Sequence, residues 1–379
     1  MSRRRIAFAA IVAGLAVATV GSSVAIAQPK LPEPARVRVD FTATSITTRQ
    51  AEGEAGVVGR KVGAEHPVRV ASISKLVTAI AVMRLVDEGR IKLDRDISAY
   101  LGFPVRNPAF PDRPVTLRHL LSHTSGIRDS IDYLLPLDGS LETTLANPAV
   151  WHGGYKPGDY FSYANLNSPI IAATIEAATR ERFDRLVAKK VLQPLRIDGC
   201  FNWGAGCSAG RRAQAVALLR NNGDLARDAA IGGQDPCPVL AASDGSCDLS
   251  RYKIGTNGSS FSPQGGLRIS PQDLAKIGRL LLNGGRPLLS EKAFAEMTKM
   301  QWRYNGVNGD ADNGYYRAYG LGVHIHSDSR GSIWIGHVGE AYALRAGLWV
   351  NPETRKGFAQ YVTMVPAETP IGHCLETCP

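Results

Sequence analysis

Cysteine is missing from the first half of this 379-residue chain; its six cysteines all lie from Cys200 onward. None has the C-x2-C spacing of structural zinc, so zinc is the weaker alternative to disulfides. Positive charge is in modest excess, 44 Lys and Arg against 34 Asp and Glu, and no basic block or interleaved aromatic run concentrates it. That argues against nucleic acid as a partner. There is no internal repeat or low-complexity tract, and 44% hydrophobic with 21% charged residues excludes disorder, collagen and coiled coil. Past the N-terminal segment no uninterrupted apolar run is long enough to cross a bilayer. What remains is a globular chain longer than the roughly 250 to 300 residues at which one core stops growing, so its packing should divide between two subdomains.

Residues 1–27 read as a secretory signal: Arg3, Arg4 and Arg5, an apolar run from Ile6 to Val20, and Ala25-Ile26-Ala27 as an A-x-A cleavage site. An uncleaved membrane anchor is the alternative; the run is short for a span. Cleavage removes three arginines and takes the formal charge from +10 to +7. It leaves a periplasmic or secreted chain with no stable membrane span. In that setting an even cysteine count suggests disulfides, most simply Cys200–Cys207, Cys237–Cys247 and Cys374–Cys378.

Short apolar–polar alternations over residues 36–70, such as Val37, Val39 and Phe41 and later Val57, Val58 and Val62, predict strands, with a strand pair opening the fold. From Ser72 to Met83 almost every position is apolar, Gly89 is the stop signal, and the segment predicts a helix buried on all sides. Helical patterns dominate from about residue 116 to 192, with Ser168-Pro169 as a cap and first-turn proline. A loop-rich stretch over 199–262 follows, then helices opened by Ser270-Pro271 and by Ser290. Residues 319–325, 332–336, 343–350 and 357–363 are strand-like and close enough for antiparallel hairpins. The fold class expected is α+β: an antiparallel sheet built from both chain ends (about 36–90 and 263–363), flanked by helices, with a helical subdomain (about 91–262) inserted between them.

Lys75 is the only charge in the buried helix until Arg84. An unpaired ammonium in an apolar site loses proton affinity and becomes an amine able to accept a proton near neutrality. Ser72, three residues earlier, shares its helix face and stands at the N-terminus, where free N–H groups favour developing negative charge. The plain alternative is an N-cap serine and a snorkelling lysine; Ser250-Arg251-Tyr252-Lys253 has the same spacing but opens no apolar helix. In Tyr163-Ala164-Asn165 a phenol beside an ammonium can lose its proton more easily and relay it, and the amide can hold a substrate carbonyl. A core tyrosine and a capping asparagine are the competing reading. His337-Val338-Gly339 is a weak pattern, matched equally well by other basic-x-Gly triplets such as those at His152, Lys253 and Lys276; only its strand context favours it, with Gly339 letting a substrate approach the strand edge.

Ser72-x-x-Lys75, Tyr163-x-Asn165 and His337-x-Gly339 in this order resemble the serine β-lactamase and penicillin-binding protein superfamily, in particular its class C β-lactamase, D-alanyl-D-alanine carboxypeptidase and esterase branch. The resemblance extends through residues 117–126, Gln264-Gly265-Gly266-Leu267 and Tyr319-Gly320-Leu321-Gly322, and covers about residues 55–363. It implies a β-lactamase-like fold over residues 28–363, an acyl-enzyme formed on Ser72, a base role shared by Lys75 and Tyr163, and substrate orientation by Asn165. It also implies His337 as the basic residue of the third motif and an oxyanion hole from the backbone N–H groups of Ser72 and Glu340. The expected partner is a small-molecule or peptide substrate, with no cofactor and no metal. His119 and His123 fall in the family's structural segment, and His324 and His326 are expected on a strand surface. Histidine at 337 is more like the peptidases and esterases than the lactamases. A β-lactamase and a non-catalytic sensor or scaffold remain the alternatives. Glu340 stands where a small residue is usual, and its carboxylate can repel an acidic substrate or pair with a cationic one. Residues 364–379 carry Pro, Gly and two cysteines where the family has a long helix, which leaves one sheet face to a partner or to solvent.

Overall fold

The computed structural model describes residues 30–226, 237–310, 312 and 314–369. The expected signal segment, 1–27, and the expected Cys374–Cys378 pair lie outside the described residues. Eleven strands are described: β1 (Arg36–Thr42), β2 (Ile46–Glu52), β3 (Val68–Arg69), β4 (Cys200–Phe201), β5 (Leu267–Ile269), β6 (Trp302–Arg303), β7 (Ala318–Tyr319), β8 (His324–Ser327), β9 (Ile333–Ala341), β10 (Leu344–Asn351) and β11 (Lys356–Val362). The α-helices are α1 (Ile73–Asp87), α2 (Ser98–Leu101), α3 (Leu117–Leu121), α4 (Leu141–Ala146), α5 (Asn167–Thr179), α6 (Phe183–Val187), α7 (Ala209–Ala213), α8 (Pro271–Leu282) and α9 (Glu291–Thr298).

Eight strands form an antiparallel sheet in the order β2-β1-β11-β10-β9-β8-β7-β6, which joins the two ends of the chain where β1 meets β11. The α+β class with an antiparallel sheet from both ends therefore holds. Alternation explains the pairing: Val37, Val39 and Phe41 are buried while Arg36, Arg38 and Asp40 between them are half-exposed. In register with them, Val39 stands opposite Ala359, and on the next pair of strands Leu348 stands opposite His337. α8 packs against β1, β10 and β11, and its amphipathic pattern places Gly278 against the ring of Phe41. Ser270 caps it by accepting from the Asp273 N–H, and Ser290 caps α9 by accepting from the Ala293 N–H. α1 meets β9 and β10 on one side and α5, α6 and α9 on the others, which is why it has no solvent-facing stripe. A small sheet, β3-β5-β4, fixes the segment entering α1.

Four expectations change. Val57, Val58 and Val62 lie in bends, a turn and irregular chain around a single Glu54–Lys61 bridge, not in a strand. Residues 319–325 are not one strand but the hairpin β7–β8, folded at a turn in which the Gly320 N–H donates to the Val323 carbonyl at 2.8 Å. Gly322 takes φ +69° in that turn, and a Cβ there would stand 2.4 Å from the Ala79 Cβ, so glycine lets the turn lie on α1. α5 begins at Asn167 and not after Ser168, because the preceding backbone N–H groups are taken by a carboxylate from elsewhere, Asp129. His324 is not on a surface: it is 1% exposed, packed among Tyr315, Tyr316, Tyr319 and Trp349.

Cys200–Cys207 and Cys237–Cys247 are disulfide-bonded, as the local pairing anticipated. Residues 364–369 contain no helix, and the Val365 N–H donates to the Ala343 carbonyl. On the sheet face opposite α8, Trp349, Val338 and Phe358 form a buried cluster with Tyr315 and Trp334 packed against it, so this part of the face is not left to solvent. No helix among the described residues is long and apolar enough to cross a membrane.

Candidate active site

Ser72 follows a strained turn. Ala71 takes φ +48°, a left-handed conformation costly for a residue with a Cβ, and Ser72 then starts α1 without using its side chain as a cap. Its hydroxyl is therefore free for other work, which disposes of the plain N-cap alternative. The turn is held by the Val70 N–H donating to the Leu267 carbonyl at 3.0 Å and by Ser74 Oγ accepting from the Leu267 N–H at 3.0 Å. The competing Ser250 and Lys253 are both exposed.

Lys75 is 5% exposed. Its Nζ lies 3.0 Å from Ser72 Oγ, 2.8 Å from Asn165 Oδ1 and 3.0 Å from the Gln264 carbonyl oxygen. Burial pulls its proton affinity down to about 7, against the opposing pull of Asp129. A neutral amine has two N–H donors and one lone pair. Two of its three neighbours, the Asn165 and Gln264 oxygens, can only accept. They take both N–H groups and leave the lone pair for the Ser72 hydroxyl.

Tyr163 behaves differently from the sequence expectation. Burial raises its phenol well above the ordinary tyrosine value, opposed by a hydrogen bond to Ser72, so it is a neutral proton donor and not a readily ionised phenol. Its ring is held between His123 at 4.4 Å and Tyr316 at 5.2 Å, both stacked, with Lys75 Nζ 4.9 Å from its centroid. His123 accepts from the Ala164 N–H through Nδ1 at 3.1 Å, and burial pushes its imidazole well below its ordinary value. Asn165 is engaged at both ends: Oδ1 accepts from Lys75, and Nδ2 donates to Asp129 at 2.9 Å.

His337 and Gly339 lie on β9, and neither is among the residues that line the cavity in front of Ser72. His337 is 1% exposed; its Nδ1 is 2.6 Å from the Val338 carbonyl and must donate, so Nε2 accepts from the Tyr319 hydroxyl at 2.8 Å. Burial and the Lys75 charge push the imidazole down to about 3, which favours its neutral form. Gly339 serves a backbone-to-backbone contact: a Cβ there would come 2.1 Å from the Val70 carbonyl oxygen, in the turn that carries Ser72. β8 pairs with β9 only as far as Gly336, so among the described residues the edge of residues 337–341 away from β10 has no strand partner.

The cavity has a volume of about 660 Å³, and Ser72, Tyr163 and Asn165 are among the residues that line it. Tyr133, Leu135, Trp203, Val239, Tyr316 and Tyr342 give it aromatic and apolar walls. Glu340 lies on its rim, but its carboxylate is 3.0 Å from the Arg345 guanidinium, so it is not a bare negative charge; burial nevertheless raises its proton affinity, opposed by Arg345. No group of His, Cys, Asp or Glu among the described residues is arranged to hold a metal ion. Asp129, Gln264 and Tyr316 were not singled out as site residues from the sequence. Asp129 sits three residues after Gly126 in an irregular stretch, and no local pattern ties it to Asn165, 36 residues later.

Among curated proteins, the Burkholderia gladioli "Esterase EstB" is 31% identical over 177 residues, 41% of this chain and 43% of that protein. "Protein flp" of Staphylococcus aureus strain N315 is 27% identical over 145 residues, 37% of this chain and 29% of that one. The chain thus spans less than half the length of these relatives. A solved structure of D-amino acid amidase from Ochrobactrum anthropi SV3, complexed with D-phenylalanine, shares the fold with a TM-score of 0.64 at 18% identity, covering 88% of each chain. A family model described as "Beta-lactamase" matches residues 45–370, most of the sequence and all of the site, and the chain belongs to that family.

Proposed function

We propose that this protein is an exported serine hydrolase, periplasmic or secreted, that cleaves an amide or ester through an acyl-enzyme on Ser72, as a peptidase or carboxylesterase. The observation that carries the reading is the 3.0 Å approach of a buried amine, with proton affinity near 7, to a hydroxyl that caps nothing. Lys75 takes the Ser72 proton as Oγ bonds to the substrate carbonyl carbon. The oxyanion is held by the backbone N–H groups of Ser72 and Glu340. Collapse breaks the bond to the leaving group, which takes a proton from Tyr163; the proton held on Lys75 restores the phenol. Water then attacks the acyl ester by the same route and frees Ser72. The two disulfides and the N-terminal sequence support the exported location.

A β-lactamase is the second reading, favoured by the family match and weakened by the neutral imidazole at position 337. A fluorophosphonate should label the wild type and not Ser72→Ala; equal labelling of both overturns the nucleophile. Turnover of short acyl esters and D-amino-acid peptides above that of a chromogenic cephalosporin favours the first reading, and the reverse order favours the second.

A further inference from the structure

We propose that Asp129 is a positioning residue that locks the amide of Asn165 with its oxygen toward Lys75 and thereby aims the Lys75 lone pair at Ser72. The inference rests on the serine-hydrolase reading and deepens it. Asp129 Oδ2 accepts from the Asn165 backbone N–H at 2.7 Å and from Asn165 Nδ2 at 2.9 Å, while Oδ1 accepts from the Leu166 N–H at 3.0 Å. An ionised carboxylate only accepts, so the end of the Asn165 amide beside it must be the NH2 group. The carbonyl end is then fixed 2.8 Å from Lys75 Nζ. Flipped, the amide would donate to Lys75 and consume the lone pair that Ser72 needs. An asparagine at this position is not enough by itself, because its two amide orientations have the same shape; the carboxylate supplies the polarity.

The same charge acts on Lys75 directly. The groups facing or near the ammonium are Ser72, Asn165, the Gln264 carbonyl and the Tyr163 ring, with neutral His123 and His337 behind them. Asp129 is the carboxylate that favours the protonated amine and offsets part of the cost of burial.

The test follows the rate at which a fluorophosphonate labels Ser72, across pH. In Asp129→Asn the rate at its plateau should fall about tenfold, the loss expected for one displaced hydrogen bond, and the acidic limb should move to lower pH. Asp129→Glu keeps charge and acceptors and should restore both. In an Asn165→Ala background, Asp129→Asn should add little further loss of rate. A role in stability alone would lower the melting temperature and leave the limb where it is; that result, or a wild-type rate and limb in Asp129→Asn, overturns the proposal. If Asp129→Asn does not fold, Asp129→Glu decides: a limb at the wild-type position supports the proposal, and a profile like that of Asn165→Ala overturns it. Failure of this inference leaves wild-type Ser72 labelled with an acidic limb, whereas failure of the underlying reading leaves no labelling at Ser72, and the inference falls with it.

Discussion

The Tyr319 hydroxyl donates to Nε2 of His337 at 2.8 Å, and the pair is buried beneath the site. Burial and the Lys75 charge push the imidazole down to about 3, which favours its neutral form near pH 7. His337→Gln should leave the acidic limb of activity where it is, because no cation is removed. A limb that rises or falls with this substitution would mean the imidazole is charged and interacts with Lys75.

On the proposed mechanism Lys75 sets the acidic limb. Activity should fall about tenfold per pH unit below pH 7, as the amine is protonated there. Stability carries the same signature. Between pH 7 and 10.5 the unfolded lysine holds a proton that the folded one has shed, so folding stability should rise with pH across that window. Lys75→Met should remove activity and flatten that slope, as measured by urea unfolding at several pH values. An unchanged slope would mean the folded ammonium is not destabilised.

Tyr163→Phe keeps the stacking between His123 and Tyr316 and deletes only the hydroxyl. Turnover should fall by about 10² to 10⁴, the range for loss of a positioned proton donor. Because burial holds the phenol well above its ordinary value, no basic limb from Tyr163 should appear up to pH 10. Stopped-flow measurement of acylation across pH checks both points.

The sheet strands and capped helices were legible because their signals are local: alternation at Val37, Val39 and Phe41, and Ser270 and Ser290 just ahead of α8 and α9. The Ser72–Lys75 pair was legible for the same reason, one helical turn apart in a segment with no polar face. Contacts between distant segments were not. Nothing near Asn165 announces that Asp129 will hold it, and nothing near Tyr319 announces that its hydroxyl will occupy the His337 ring. The split of residues 319–325 into a hairpin was hidden similarly, since Gly322 is needed for its approach to Ala79 and not for the turn alone.

Glu340 at the cavity rim should tune charge preference through its partner. Glu340→Ala removes one carboxylate and leaves the buried Arg345 without its ion-pair partner, so the rim becomes more positive. The ratio of kcat/KM for acidic over cationic acyl esters of equal length should rise by about fivefold, the scale of a partly exposed ion pair. An unchanged ratio would place the bound substrate away from this rim.

Gly339 links the sheet to the turn that carries Ser72 through a contact that only a missing side chain permits. Its backbone presses on Val70, two residues before Ser72, and an added Cβ would sit 2.1 Å from the Val70 carbonyl oxygen. Neither backbone can yield cheaply: Gly339 is fixed opposite Ala346 in β9–β10, and Val70 is tied to Leu267. Gly339→Ala should therefore cost about 1 to 3 kcal/mol of stability and slow labelling of Ser72 by moving the turn that carries it. Gly153→Ala is the control, since a Cβ there meets no atom within 4 Å, and it should change neither quantity. If Gly339→Ala is destabilised but labels at the wild-type rate, β9 supports the fold without positioning the hydroxyl.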